Sequence, residues 1–466
     1  MKRSILYKVV LVPAIMVSFQ SCFVARDYER PAEVLEEANF RTDNLPQDTT
    51  TMAGVSWREL FTDPYLTGHI EEALQNNIDI RIALQQINAA QAYLRQGKAS
   101  YFPSVSAGVG VVHQELAGNN QSLYGRSSID QFDLSADLSW EADIWGKIRS
   151  NELAMQASYL QSVAAHKAVK TELISNIASL YYQLLALDDQ LSITRETIGN
   201  RERSLETMRA LKDAGNVTEV GVQQTEAQLY RAQAVMIDLK NDIRLLENTF
   251  SILLGDAPHK IERSDLEQQI INTPLRTGVP LQLLRNRPDV VAAEYNLVNA
   301  FQLTNVARSM FYPSLRINAT AGFQSLNLSH LLDANSFFSS IAGSLTQPIF
   351  NRRQIRTEFE VAEARQEIAF LTFRETLLIA TREVSDALYN YQAAEEKMEV
   401  KLKESEAYDL ATFYSEELLN NGFANYLEVL TARENYLNAQ LELVNIRFNE
   451  LNAIVNLYQA LGGGWQ

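Results

Sequence analysis

A single cysteine in 466 residues, Cys22, rules out a disulfide framework. Beyond the N-terminal region no apolar run approaches the ~20 residues of a spanning helix, so a chain that crosses a bilayer here must do so with strands. Basic residues are scarce beside acidic ones, 41 against 57, and a formal charge of -16 argues against nucleic acid as a partner. That balance fits plain solubility or an acidic lumen that attracts cations; the total does not separate the two. The five histidines (His69, His113, His166, His259, His330) form no i,i+4 pair and no HExxH motif, which leaves a zinc site without support. No GxSxG elbow, phosphate-cradling loop or dinucleotide fingerprint occurs, and Gly462-Gly463-Gly464 precedes no helix. Neither an enzyme nor a cofactor or metal is expected.

What the chain does contain begins at its N-terminus. Lys2 and Arg3 precede an apolar run from Val9 to Phe19, broken by Pro13, that ends at Ser21-Cys22. This is the layout of a secretory signal over residues 1–21, with Cys22 placed where a lipoprotein is cut and acylated. With 46% apolar and 21% charged residues, the remainder can bury a sizeable core spread over two or three domains.

The sequence is duplicated. Tyr101-Phe102-Pro103-Ser104-Val105 is echoed by Phe311-Tyr312-Pro313-Ser314-Leu315, offset by 210 residues, while Ile148-Arg149, Leu211 to Gly215 and Leu254-Gly255 return 207 residues later. A unit of about 200 residues is too long for a solenoid repeat. Each unit changes its hydrophobic period from helical to strand-like and back. Ile80, Leu84, Ile87, Gln91 and Leu94 mark a coiled-coil seam in a helix over 66–98. From Phe132 to Trp140 apolar residues alternate with Asp133, Ser135, Asp137 and Ser139, and the same alternation runs through Val105 to Val111 and Leu315 to Phe323. The segment Phe337 to Phe350 alternates poorly.

An antiparallel sheet wet on one face shows the same alternation. Hairpin loops rich in Gly, Asn and Ser, flanking aromatics and strands of bilayer length favour the wall of an outer-membrane barrel instead. Four strands cannot close, so several chains must contribute; three or more give an aqueous bore. The helices are long: residues 148–213 hold no proline and one glycine and would rise ~100 Å. The return helix 218–253 stacked on 66–98 matches that length, and 352–420 against 425–460 plus 285–309 repeats the arrangement.

These residues, with Cys22 to Pro31, Trp57 to Leu66, Leu284-Arg285-Asn286-Arg287-Pro288-Asp289-Val290 and the duplicated glycine turns, resemble the TolC outer-membrane efflux family, in its lipoprotein branch of NodT-like and OprM-like ducts. The resemblance implies a mainly α fold with a membrane β-barrel: a homotrimer whose twelve strands cross the cell outer membrane and continue as a long periplasmic α-helical barrel. It divides the chain into residues 22–65 (lipidated segment and equatorial belt), 66–283 and 284–466 (the two repeats), with β-hairpins at 102–145 and 312–350 and an equatorial segment at 255–283. It also implies a passive outer-membrane channel of a tripartite efflux system, lipid-anchored through Cys22, whose partners are outer-membrane lipid, a periplasmic adaptor and an inner-membrane pump of the resistance-nodulation-division type. The helical tips would meet the adaptor through Gly215, Asn216, Val217, Gly422, Phe423 and Ala424, and Glu428 would belong to an acidic periplasmic gate. Thr431 and Asn420 depart from the family's pattern at two further gate positions. A duct for type I polypeptide secretion is the alternative; a poreless periplasmic scaffold accounts for the helices but not for the strands.

Overall fold

The computed structural model describes residues 24–31, 52–117, 127–271 and 283–465. Cys22 and the signal-like run lie outside them. Seven long helices and four strands are described, in the order α1 (Pro64–Asn76), α2 (Ile78–Ala99), β1 (Ser104–Glu115), β2 (Ser128–Ala142), α3 (Lys147–Asp213), α4 (Glu219–Leu254), α5 (Pro288–Ser309), β3 (Ser314–Ser325), β4 (Phe337–Thr346), α6 (Gln354–Asn420) and α7 (Tyr426–Ala460). The duplication is visible element by element, since α3 and α6 are both 67 residues long. Two compact units emerge, one from the described parts of residues 1–30, 87–162 and 293–373, the other from the remaining segments. Each unit therefore draws on both halves of the sequence.

The first unit is built on a four-stranded antiparallel sheet in the order β1-β2-β3-β4. Its register follows the alternation in the sequence: Val109 lies opposite Leu134, Leu134 opposite Phe323, and Phe323 opposite Phe337. Because side chains alternate faces, this register puts one apolar set on a single face. β4 pairs with β3 over its whole length despite its weak alternation, since register is imposed by the neighbour. An N-terminal segment also belongs here: Arg30 makes a bidentate pair with Glu294 (2.6 and 2.7 Å), and the Arg26 N–H donates to Asn305 Oδ1 at 3.2 Å, so residues 26–30 run antiparallel along α5.

The second unit packs Trp57, Phe61, Leu66, Ile70, Tyr181, Tyr182, Phe250 and Tyr458 into one buried core. Phe61 meets both Tyr182 and Tyr458 ring to ring, at 6.5 and 6.4 Å between centroids. Asp63 caps α1 by accepting from the backbone N–H groups of Tyr65 (2.8 Å) and Leu66 (3.3 Å). Its other oxygen accepts from the Tyr181 hydroxyl (2.8 Å), the Gln269 amide (2.7 Å) and the Ser264 hydroxyl. Arg287 of the Arg-Pro-Asp motif donates to Asp289 and Glu383, both at 2.6 Å, and to the Ala460 carbonyl at 3.2 Å. That motif is thus a staple fixing the start of α5 to α6 and the end of α7.

Three expectations need correction. The helix over 66–98 is two helices, because the Asn77 side chain accepts from the N–H groups of Asp79 and Ile80 and donates to the Leu253 carbonyl, opening the backbone ladder there. The segment 285–309 likewise breaks at Arg287, where Pro288 starts a new helix. The covered stripe of α2 runs through Ile80, Ala83, Ile87, Ala90, Leu94 and Gly97, while Leu84 and Gln91 face outward. Small residues serve as seam positions here: a Cβ on Gly97 would sit only 3.4 Å from Met155.

Burial alone would push the Asp63 carboxyl up, but the hydrogen bonds from Ser264, Tyr181 and Gln269 outweigh it and hold it below the ordinary carboxylate range. A lowered folded pKa gives stability that is complete above the unfolded value of about 3.9 and lost as the pH falls through the folded value. Asp63→Ala therefore lowers the thermal midpoint at pH 7, by the equivalent of about 1–3 kcal/mol. The difference from wild type shrinks as the pH falls below about 4. Melting curves by circular dichroism from acidic to neutral pH check this; a difference independent of pH would contradict it.

Candidate functional site

Two helical hairpins in the second unit end in equivalent turns. In the first, the Gly215 N–H donates to the Lys212 carbonyl (2.8 Å) and the Asn216 N–H to that of Leu211 (2.9 Å); in the second, the Gly422 N–H donates to Leu419 (3.0 Å) and the Phe423 N–H to Leu418 (2.8 Å). Both glycines sit at φ 79, the left-handed conformation that this six-to-one helix closure requires. Lys212 and Glu219 bridge the first turn at 2.6 Å. That contact raises the lysine's pKa and lowers the glutamate's.

The six tip residues do not behave alike. Gly215, Asn216 and Gly422 are open to solvent, and Phe423 is 81% exposed, a large apolar side chain with no cover in the single chain. Val217 instead packs against the cluster of Leu205, Met208, Val222 and Leu229, on which Tyr426 of the second hairpin also rests. Ala424 is half-buried. Phe423 is therefore the bare apolar side chain of the set, and Val217 a packing residue.

Glu428 starts α7. Asn425 caps that helix by accepting from the Glu428 N–H at 3.2 Å, and its amide donates back to Glu428 Oε1 at 3.0 Å. The carboxylate remains exposed and lines a groove of about 460 Å³ with Tyr408, Ser415, Leu427, Thr431 and Asn435. Thr431 returns its hydroxyl to the Leu427 carbonyl at 2.9 Å.

Sequence reasoning misses the polar contacts that hold the two hairpins together. Buried Arg201 on α3 donates to Glu434 on α7 at 2.6 Å and to the Gln228 carbonyl on α4, and Arg231 reaches the same carboxylate at 3.2 Å. Arg433 on α7 donates to Glu416 (2.8 Å) and to the Ser204 hydroxyl on α3. The partners that join α3 to α7 lie 233 and 229 residues apart, so no local motif could reveal them.

The sheet of the first unit is the other candidate surface. One face carries Val105 (68% exposed), Val109 (76%) and Ile341 (80%), bare in the single chain. The opposite face is a ladder of polar cross-strand contacts: Ser139 to Asn318 (2.9 Å), Thr320 to Asp137 (2.6 Å) and Arg316 to Glu141 (3.0 Å). At the base of the sheet the Trp145 Nε1–H donates to the Pro313 carbonyl at 2.8 Å, and its ring lies 5.0 Å from that of Tyr312. Among the described residues, β1 and β4 each keep one edge without a partner strand.

A sheet apolar on one face, polar on the other and open at both edges, in a chain of 67-residue helices closed by glycine tips, defines an outer-membrane channel of the efflux type. The sequence matches the family described as outer membrane efflux protein over residues 69–256 and 279–463, and the chain belongs to that family. It is 28% identical to the toluene efflux pump outer membrane protein TtgF of Pseudomonas putida, over 97% of this chain and 96% of the relative. It is 26% identical to the probable outer membrane lipoprotein SilC of Salmonella typhimurium, over 98% and 99%. The solved outer-membrane channel OprN superposes with a TM-score of 0.86 at 25% identity, covering 95% of this chain and all of that one.

The glycines of the duplication divide by role. A Cβ at Gly215 or Gly422 would meet nothing within 4 Å, whereas one at Gly255 would lie 2.7 Å from the Asn76 carbonyl oxygen and one at Gly462 2.4 Å from that of Asn286. All four have positive φ, so alanine costs each roughly 1–2 kcal/mol in backbone conformation, and the latter pair must also move backbone. Gly255→Ala and Gly462→Ala should therefore lower the thermal midpoint clearly more than Gly215→Ala and Gly422→Ala. Equal losses across the four variants would show that the close approach is not a constraint.

Proposed function

We propose that three copies of this chain form a passive duct through the outer membrane, the exit component of a tripartite efflux system. The observation that carries this reading is the four-stranded sheet with one bare apolar face, one polar face and two open edges. Three copies supply twelve strands and a lumen wide enough for water, lined by the Asp137, Glu141 and Arg316 ladder; two would give eight strands and a bore filled by side chains. The helices extend the duct into the periplasm. Its tips meet a periplasmic adaptor through Phe423, Gly422, Gly215 and Asn216, with Val217 and Ala424 as support, and the adaptor connects it to an inner-membrane pump of the resistance-nodulation-division type.

Lipidation at Cys22 is part of the same reading. Residues 30 to 26 run along α5 toward its C-terminal end, which leads directly into β3. Cys22 lies four residues before Arg26, a length of chain that spans at most about 13 Å. An acyl group on Cys22 can therefore reach the base of the strands, where the inner leaflet of the outer membrane would lie.

The two sheet faces give a direct test. Leu134→Arg on the lipid face should reduce the yield of assembled complex, an arginine at the bilayer midplane costing roughly 2–4 kcal/mol, while Asp133→Arg on the lumen face should cost little. Equal losses would reverse or abolish the facing.

Three copies of Glu428 near a common axis would form a ring of like charges that repel one another and attract cations. Glu428→Gln preserves the side chain's shape, so assembly should be unchanged. In planar-bilayer recordings of the purified complex the variant should lose cation selectivity and respond differently to divalent block from the periplasmic side. If both properties match wild type, Glu428 does not line the constriction.

A further inference from the structure

Because the chain is duplicated, the junction that joins its two halves within one copy is a template for the junction between copies. A shift of 210 residues carries Pro103 onto Pro313 and β1 onto β3; a shift of 207 carries Gly215 onto Gly422 and β2 onto β4. Applied to the pair Val105 and Leu138, the two shifts give Leu315 and Leu345, which is a pair found in the sheet. Moving β2 forward and β3 back by the same amounts turns the β2–β3 seam into a β4–β1 seam between neighbours. Leu138 opposite Ala319 becomes Leu345 opposite Val109, and Ala142 opposite Leu315 becomes Ile349 opposite Val105.

This register keeps the faces consistent. Leu345 (67% exposed) near the end of β4 comes opposite Val109 (76%), both on the apolar side, and Ile349 (99%), three residues beyond β4, comes opposite Val105 (68%). A slip of one residue would set them against positions of the opposite face, Gly108 or Gly110 for Leu345 and Ser104 or Ser106 for Ile349.

Below the strands the template makes a more specific statement. Within the chain, Trp145 stacks on Tyr312 and donates to the Pro313 carbonyl. The shifts put Arg352 in the place of Trp145, and Phe102 and Pro103 in the places of Tyr312 and Pro313. Arg352 is exposed and has no hydrogen-bond or ion-pair partner among the described residues, and Phe102 is 74% exposed. The left-handed position of this turn is retained at the cost of strain, Arg353 standing at φ 68 where Gly146 has φ 76; Arg352, at φ 54, is left-handed as well, which Trp145 is not. A guanidinium can replace an indole here, since it is planar, stacks on an aromatic face and donates N–H groups to a carbonyl.

We propose that the seam between copies pairs β4 of one chain with β1 of the next in the register Leu345 to Val109, pinned at its base by Arg352 of one copy lying over the Phe102 ring of the next and donating to the Pro103 carbonyl. This rests on the reading that copies assemble through their sheet edges. It adds the register and the residues that fix it.

Cysteine pairs in the full-length chain, expressed in outer membranes and oxidised, test the register. Val109→Cys with Leu345→Cys should give a ladder of linked chains on non-reducing gels, and Val109→Cys with Gly343→Cys or Gln347→Cys a much weaker one. Strongest linking at a displaced pair would overturn the register while leaving assembly standing, whereas a chain that extracts as a monomer would overturn assembly itself. For the base contact, Arg352→Ala and Phe102→Ala should each lower the temperature at which the complex dissociates, the double variant should fall no further than the weaker single, and Arg352→Trp should restore it. Additive losses, or an Arg352→Trp complex as weak as Arg352→Ala, would rule the contact out.

Discussion

In hydrocarbon an unpaired backbone N–H or carbonyl costs several kcal/mol, and a sheet of four strands leaves two edges of such groups. The outer edges of β1 and β4 impose this constraint on every other part of the protein. On the proposed reading, Val105, Val109 and Ile341 lie bare on a single chain because their face meets hydrocarbon rather than protein. The open edges suit a duplicated chain, since two equal hairpins that join head to tail within a chain would, on the proposed reading, join between chains by the same kind of junction.

The duplication is preserved in devices more than in residues. The four long helices of the hairpins end in the same closure, at Gly215, Gly255, Gly422 and Gly462, yet two of these turns face open solvent and two press against a backbone carbonyl. At the base of the sheet the indole of Trp145 has an arginine as its counterpart. The tips are held by contacts of another kind. Arg201 with Glu434 and Arg433 with Ser204 join the hairpins through buried or half-buried charge, where breaking a partner is expensive but concerted separation in water is not.

Much of this architecture is legible in the sequence because its signals are local. Alternation in Phe132 to Trp140 and Leu315 to Phe323 reports a two-faced sheet, and glycine at 215 and 422 reports turns. What escapes depends on neighbours. The edge strand β4 takes its conformation from β3, so Phe337 to Thr346 carry little pattern of their own. The break at Asn77 looks like an ordinary polar helix position until the Leu253 carbonyl supplies its partner. Ala83, Ala90 and Gly97 escape as seam positions because a hydrophobicity pattern weights size, whereas close helix approach selects its absence. Of the candidate site, the tips are readable as segments; that Phe423 is bare while Val217 is absorbed into packing follows only from their surroundings.

On the proposed reading, this chain is a fraction of a barrel that two further copies complete. Native mass spectrometry of the complex extracted gently from outer membranes measures this most directly. A single dominant species of three chains is expected, with no stable monomer under conditions that preserve the fold. A folded monomer, or a dimer as the dominant species, would contradict it.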